Sequence, residues 1–186
     1  ALEHQKISQG SLLLAEPFML DVYFRRAAIL ICDKHEEGTL GFILNKPLDV
    51  KVDSIINDFP EFDALAYYGG PVQTDSVHFL HTAGDIIDDS QFVCDGIYWG
   101  GNFEKVKVLI TQGLLHPGNI RFYVGYTGWS KYQLEAEIED KTWIIDEMDP
   151  NYLFVFKPDK LWQVILENKG NTHAILGQID DFLNLN

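Results

Sequence analysis

The sequence predicts a single α+β domain over residues 1–186. Short segments typical of β-strands follow one another in pairs, separated by glycine, proline and polar turn residues. Segments with helical spacing lie between these pairs, without the regular strand–helix alternation of a parallel sheet. With 46% hydrophobic and 23% charged residues, a chain of 186 residues can bury one sizeable core.

The first part of the chain is predicted to be mainly β-structure. A strand is expected at 11–15, and the continuous apolar run at 26–32 indicates a strand covered on both faces. An alternating strand follows at 39–45, where Gly41 indicates a bulge or a close backbone approach. The dipeptide Lys46–Pro47 is expected to end this strand.

The middle of the chain mixes helical and strand patterns. Apolar residues at helical spacing predict a helix at 52–59. Strands are expected at 65–72 and 77–82, and a pair of shorter strands is expected around 95–96. A second helix should begin after Asn102, because asparagine is a good N-cap.

The stretch GYTGWSKYQLEAEI, residues 125–138, could be a binding loop or the start of a helix. Ser130 and Gln133 fit a capping box. Trp129 before the cap and Leu134 after it fit a hydrophobic staple. A helix that begins at Ser130 is therefore predicted, and Ser130→Ala is expected to cost about 1 kcal/mol through the lost cap.

The C-terminal part contains further strands and a last helix. Strands are expected at 120–126, 142–146 and 152–156. The last helix should run from 158 or 159 to 169, and a final short strand or turn is expected at 174–180.

Cysteine usage and the lack of a leader pattern bear on the compartment. Cys32 and Cys94 each stand in an apolar segment, so both are expected to be buried thiols, with a disulfide or redox pair as the alternative. The apolar run near the N-terminus lacks a basic region before it, and no run is long enough for a membrane span. We therefore expect a cytoplasmic protein without membrane association.

The charge balance argues against direct binding to nucleic acid. The chain has 14 basic and 28 acidic residues, which gives a formal net charge of −14. Nucleic-acid binding draws much of its affinity from lysine and arginine neutralising phosphates. No metal or cofactor is expected either: His78 and His81 are three apart on a strand and point to opposite faces, and metal-binding motifs are absent.

Four blocks in order give the sequence a resemblance to a known family. They are GSLLLAEPFMLDVYFRRAAILI (10–31), GTLGFILNKP (38–47), YYGGPV (67–72) and GYTGWSKYQLEAEI (125–138). Together they are similar to the AlgH/YqgE family of bacterial proteins over residues 10 to about 166. The resemblance implies an α+β fold with a mixed, mainly antiparallel bifurcated sheet that curls into a pseudo-barrel with segregated helices. It implies no established reaction, although some members are described as transcriptional regulators.

A candidate binding site follows from polar and glycine-rich positions, most of them in loops that match the family's blocks. The residues are Asn45, Lys46, Gly69, Gly70, Pro71, Gly128 and Glu137. Glycine lets a ligand or another backbone approach closely, and the Asn45 amide can both donate and accept. The alternative is structural: these residue types also make turns, and Asn45 would then hold a neighbouring loop.

The function that these patterns favour is non-enzymatic binding or regulation, with a protein or a small molecule as partner. No catalytic residue is assigned, because no oriented nucleophile and base are recognisable. A hydrolase-like enzyme that uses His35, Asn45 or Glu137 is one alternative. Transcriptional regulation, direct or indirect, is the other.

Overall fold

A computed structural model describes residues 7–168, and the structural statements refer to this part of the chain. It contains ten strands and five helices. The strands are β1 (Ser11–Ala15), β2 (Ala28–Lys34), β3 (Gly38–Ile43), β4 (Pro47–Lys51), β5 (Leu65–Tyr68), β6 (Val72–His81), β7 (Gln91–Cys94), β8 (Ile97–Trp99), β9 (Ile120–Ser130) and β10 (Trp143–Glu147). The helices are α1 (Val52–Ile55), α2 (Phe103–Thr111), α3 (Gln133–Glu139), α4 (Asn151–Phe154) and α5 (Pro158–Asn168).

The strands form one sheet that divides at β9. The main path is β10-β1-β2-β3-β9-β6-β8-β7, and its pairs are antiparallel. The end of β9 pairs with β3, whereas its beginning pairs with β6 and, in parallel, with β5. β4 completes the branch by pairing with β5. The α+β fold with a bifurcated, curled sheet is thereby confirmed.

Three apolar clusters connect the sheet to the helices. The α5 core joins one sheet face to α4 and α5, the α2 core surrounds α1 and α2, and the α3 core joins the opposite face to α3 and residues 16–27. Leu30 of β2 lies in the α5 core and Ile29 lies in the α3 core. This strand is therefore buried on both faces, as its continuous apolar run predicts.

Several local predictions are confirmed. The side chain of Asn102 accepts a hydrogen bond from the Lys105 backbone N–H at 3.0 Å and caps α2. At Gly41 a Cβ atom would lie 2.7 Å from the Leu30 carbonyl oxygen, next to a bulge in the β2–β3 ladder. Both cysteines are free and Cys32 is buried as expected; the expected full burial of Cys94 is wrong, because this residue is only half-buried.

The strand predicted at 152–156 is wrong, because α4 occupies most of it. Asp149 accepts a hydrogen bond from the Asn151 N–H at 2.9 Å, and Pro150 has the helical φ of −54°. Together they start a helical turn that buries Leu153. A short apolar run cannot by its period distinguish a strand from a buried helical turn.

Other boundaries differ from the predictions. The helix predicted at 52–59 is the single turn of α1, because Ile56 is already extended at φ −110°. The strand predicted at 39–45 is β3 and ends at Ile43, shortly before the Lys46–Pro47 dipeptide expected to end it, and Pro47 begins β4. Ser130 ends β9 and is not an N-cap, because α3 begins at Gln133. The expected end of the last helix at 169 and the strand at 174–180 lie outside the described residues.

Candidate functional site

Asn45 fastens residues 16–27 to the end of β3. Its Oδ1 accepts a hydrogen bond from the Ala28 N–H at 3.0 Å, and its Nδ2 donates to the Arg26 carbonyl at 2.9 Å. The residue is 8% exposed; its bond to the Ala28 N–H is buried, and its bond to the Arg26 carbonyl is partly buried. The amide thus fixes the point where this segment enters β2, which is the structural role that the sequence offers as the alternative.

Gly69 and Gly70 allow two backbones to cross. A Cβ atom on Gly69 would lie 2.3 Å from the Gly125 carbonyl oxygen, and one on Gly70 would lie 2.3 Å from the Tyr126 carbonyl. The φ of Gly70 is +153°. Thr127 donates its hydroxyl to the Gly69 carbonyl at 3.1 Å. The close approach that these glycines permit is therefore to β9, and we call this buried crossing together with Asn45 the Asn45 junction.

Lys46 follows Asn45 in the chain and lies between the buried junction and the surface. It is half-buried, and its Nζ donates to the carbonyl of Arg25. Burial, followed by the charges of Arg25 and Arg26, lowers the pKa of Lys46. Its own carbonyl accepts from the Tyr68 N–H at 2.7 Å, and the Tyr68 ring stacks on Tyr23 with centroids 6.0 Å apart. Lys46 and Tyr68 thus support the outer side of residues 16–27.

This outer side exposes a run of large apolar side chains. Their exposed fractions are 50% for Phe18, 86% for Leu20, 81% for Val22 and 50% for Tyr23. We call these four residues with Arg25 and Lys46 the Leu20 surface. The sequence patterns did not identify it, because the run has neither strand nor helix spacing. An aperiodic apolar run directly before Arg25–Arg26 is the signal that could have revealed it.

The remaining candidates do not belong to the buried crossing: Pro71 and Gly128 each follow one of its residues in the chain, and Glu137 lies in α3. Pro71 and Gly128 are exposed, and Gly128 lines a shallow cavity of about 450 Å³ together with His35. Oε1 of Glu137 accepts from the indole N–H groups of Trp129 and Trp143, at 3.3 and 3.1 Å. The role of Glu137 in this structure is therefore to satisfy two buried indoles.

The groups that could perform chemistry are not brought together. His35 lies in the exposed β2–β3 turn, where its Nε2 is 2.7 Å from Oδ2 of Asp33. Burial raises the pKa of Cys32, and burial raises the pKa of Cys94 to about 11, so both thiols are protonated at neutral pH. Within residues 7–168 no group of three or more potential metal ligands is found.

His78 and His81 pack on different aromatic neighbours, as the strand spacing predicts. The ring of His78 contacts Phe42 with centroids 5.2 Å apart, whereas His81 stacks on Tyr98 with centroids 6.0 Å apart. Among the helices of residues 7–168, none combines the length and hydropathy required to cross a bilayer.

The fold and the site together describe an α+β protein with a bifurcated, curled sheet and a tightly packed glycine crossing. The chain belongs to the AlgH-like family, whose family model matches residues 12–174.

Relatives agree with this membership, and two solved structures share the fold. A UPF0301 protein of Chlorobium chlorochromatii is 42% identical over 184 residues, covering 99% of this chain and 98% of the relative. A UPF0301 protein of Chlorobaculum parvum is 38% identical with the same coverage. Protein DIP2367 from Corynebacterium diphtheriae is similar in structure with a TM-score of 0.79, at 22% identity, over 95% of this chain and 94% of that one. The AlgH protein from Pseudomonas aeruginosa has a TM-score of 0.73 at 24% identity, over 93% and 96%.

Proposed function

We propose that this chain is a non-enzymatic binding or regulatory protein whose partner contacts the Leu20 surface. The observation that supports the proposal is the exposure of Leu20 and Val22 on a segment that is otherwise well anchored. Neighbouring exposed apolar side chains mark interaction sites, because a monomer gains stability by burying them. Since the surface is open and not a deep cavity, a protein suits it better than a small molecule.

The predicted residues enter this proposal in two ways. Lys46 is assigned to the contact with the partner, because its half-buried side chain donates from Nζ to the Arg25 carbonyl, close to the end of residues 16–27. Asn45, Gly69 and Gly70 position that segment from inside. Pro71, Gly128 and Glu137 are not required by the proposal, and their part in binding stays a prediction.

The hydrolase-like alternative receives less support. It requires His35, Asn45 and Glu137 to meet around one substrate. Asn45 and Glu137 are engaged with backbone and indole groups on different elements, and His35 pairs with a carboxylate in an exposed turn. Turnover of any compound that one of these side chains controls would contradict the proposal.

A regulatory role through protein contact is compatible with the charge, whereas direct DNA binding is not part of the proposal. The net charge of −14 opposes association with a polyanion. An electrophoretic mobility-shift assay at low salt, where electrostatic binding is strongest, should show no shifted complex.

Quantitative affinity capture from a lysate of the source organism tests the binding surface. The baits are the wild type, the double variant Leu20→Asp/Val22→Asp, and Val155→Asp as a matched control, because Val155 is 70% exposed elsewhere. Circular dichroism confirms that each bait is folded. We expect proteins that the wild type and the control retain but the double variant loses. Identical sets from all three baits would contradict the proposal.

A further inference from the structure

We infer that the partner presents a short acidic segment with apolar side chains, which places its apolar residues on Phe18, Leu20 and Val22 and its carboxylates beside Lys46 and Arg25. This inference rests on the proposed function and specifies the chemistry of the partner at the same surface. An apolar surface alone would accept many partners, but the adjacent cations and the fixed conformation of residues 16–27 restrict them.

The apolar part of the surface is held in a defined shape. Glu16 accepts from the Phe18 N–H at 3.0 Å, and Asp21 accepts from the Tyr23 N–H at 2.8 Å. Phe24 points inward, where its ring meets Trp143 edge-on with centroids 5.7 Å apart. A pre-ordered surface loses little conformational entropy on binding. Leu20 and Val22 are therefore exposed on an ordered support.

Exposed large apolar side chains are more concentrated on this surface than elsewhere in the described part of the molecule. Of the twelve large apolar residues that are exposed within the described part of the chain, four fall in residues 18–23. The other eight are spread over the remaining elements. Single exposed apolar residues are ordinary, but a group of four neighbours in sequence is a candidate contact area.

The cations of the surface lack a carboxylate partner in the described structure. Lys34, Lys51 and Lys107 each form an ion pair with an acidic side chain. Within residues 7–168, by contrast, no ion pair involves Lys46 or Arg25.

The two acidic residues of the neighbouring loop, Glu16 and Asp21, accept hydrogen bonds from the loop's own backbone. In the described structure neither carboxylate forms an ion pair with Lys46 or Arg25, so both cations can pair with carboxylates of a partner.

The overall charge of the protein selects a short segment over an extended polyanion. Exposed charges are screened beyond about 8 Å at physiological ionic strength. A short acidic segment therefore experiences mainly Lys46 and Arg25. DNA or an anionic membrane extends well past this distance and meets the acidic remainder of a chain with net charge −14. The apolar side chains also match a peptide better than a phosphodiester backbone.

Selection from a random peptide library against the intact chain tests the inference. Enriched peptides should combine aspartate or glutamate with leucine, phenylalanine or tryptophan. Binding of a selected peptide, measured by fluorescence anisotropy, should weaken at least roughly tenfold in Leu20→Asp and in Lys46→Glu. Lys105→Glu and Val155→Asp serve as matched controls, because both residues are exposed on other elements, and they should retain wild-type affinity.

The outcomes separate this inference from the proposed function. If basic or uncharged peptides are enriched, and only Leu20→Asp weakens them, the inference is wrong while the proposed binding surface stands. If no peptide is enriched, or if binding is insensitive to Leu20→Asp, both are contradicted. Two further results would overturn the inference: sedimentation of the wild type with phosphatidylglycerol vesicles, or its self-association in analytical ultracentrifugation, if Leu20→Asp abolishes that association. In those cases a membrane or a second copy would occupy the surface.

Discussion

The Asn45 junction and the Leu20 surface lie side by side and use their residues in opposite ways. At the junction, residues of the kind found in binding loops serve the chain's own backbone. The Asn45 amide forms hydrogen bonds with it, and Gly69 and Gly70 let β9 approach closely. At the surface, side chains of the kind found in cores remain in solvent. Residue type alone therefore does not identify a binding site. What distinguishes the two regions is whether their bonding and packing capacity is already used by the fold.

The strongest test of this comparison is Gly70→Ala. The new Cβ would meet the Tyr126 carbonyl at 2.3 Å, and the φ of +153° is unfavourable for alanine. Backbone strain and overpacking together predict a loss of roughly 3–5 kcal/mol in the free energy of unfolding, measured by urea denaturation. Gly128→Ala is the matched control, because the nearest atom would be 3.6 Å away, and it should stay within about 0.5 kcal/mol. Equal effects would contradict the backbone crossing.

Asn45→Ala should have the next largest effect. It leaves the buried Ala28 N–H and the partly buried Arg26 carbonyl without their partner, which predicts a loss of about 2–3 kcal/mol in stability. Hydrogen exchange at the Ala28 amide should accelerate. Exchange within α2 should change only as much as the lower global stability requires. Unchanged exchange at that amide would show that Asn45 does not fasten this segment.

Glu137→Ala tests whether Glu137 belongs to the interior. Two indole N–H groups, of Trp129 and Trp143, lose their acceptor, so we expect a cost of about 1–3 kcal/mol and a change in tryptophan emission. Glu137→Gln keeps an acceptor oxygen and should cost less. The exposed neighbour Glu139 provides the control, and an equal effect of Glu139→Ala would argue against the indole contacts.

Because His81 is buried, we expect the free energy of unfolding to depend on pH. Its Nδ1 accepts from the Ala83 N–H at 3.1 Å and its Nε2 donates to the Gly100 carbonyl at 2.8 Å, so the buried ring is neutral. Burial lowers its pKa in the folded state, whereas the unfolded imidazole titrates near about 6.5. The unfolded state thus binds more protons, and the stabilisation present above about pH 6.5 is lost as the pH falls.

Urea unfolding between about pH 7 and pH 5 measures the slope of the free energy of unfolding against pH. His81→Gln should reduce the slope, although His78, whose pKa burial also lowers, keeps part of it. His116→Gln, which replaces an exposed histidine, is the matched control for the substitution. An unchanged slope in His81→Gln would contradict the neutral, buried imidazole.

Ser130→Ala should have the smallest effect. The cap predicted from the sequence would be worth about 1 kcal/mol. In the structure the Ser130 hydroxyl donates to Gln133 at 3.2 Å on the exposed surface, and the Ser130 backbone N–H makes its own bond to the same oxygen at 3.0 Å. Removing the hydroxyl should therefore change stability by less than about 0.5 kcal/mol, measured by urea denaturation. A larger loss would restore the capping role.

The strands with clear patterns could be predicted from the sequence. The continuous apolar run of β2 follows directly from its burial on both faces. In β3 the alternation correctly places Leu40 and Phe42 on one face, but Ile43 on the other face is buried as well. The N-cap at Asn102 is local chemistry and was also predictable. The helix at α4 was not, because a four-residue apolar turn has no period of its own.

The candidate site was predictable only in part. The pattern identified Asn45, Gly69 and Gly70 as special positions, and each is indeed constrained. Whether the constraint comes from a ligand or from another strand depends on what lies opposite in space, and β9 is more than fifty residues away along the chain. Leu20 and Val22 were missed because exposure is not a property of residue type.

The sequence by itself determined the family, the α+β class, the acidic charge and most of the local elements, because periodicity and capping act over a few neighbouring residues. Only the tertiary structure decided that the polar and glycine positions serve the crossing of two backbones, and that residues 18–23 keep apolar side chains in water. Both decisions depend on long-range packing, since burial is fixed by the whole set of elements that surround a side chain.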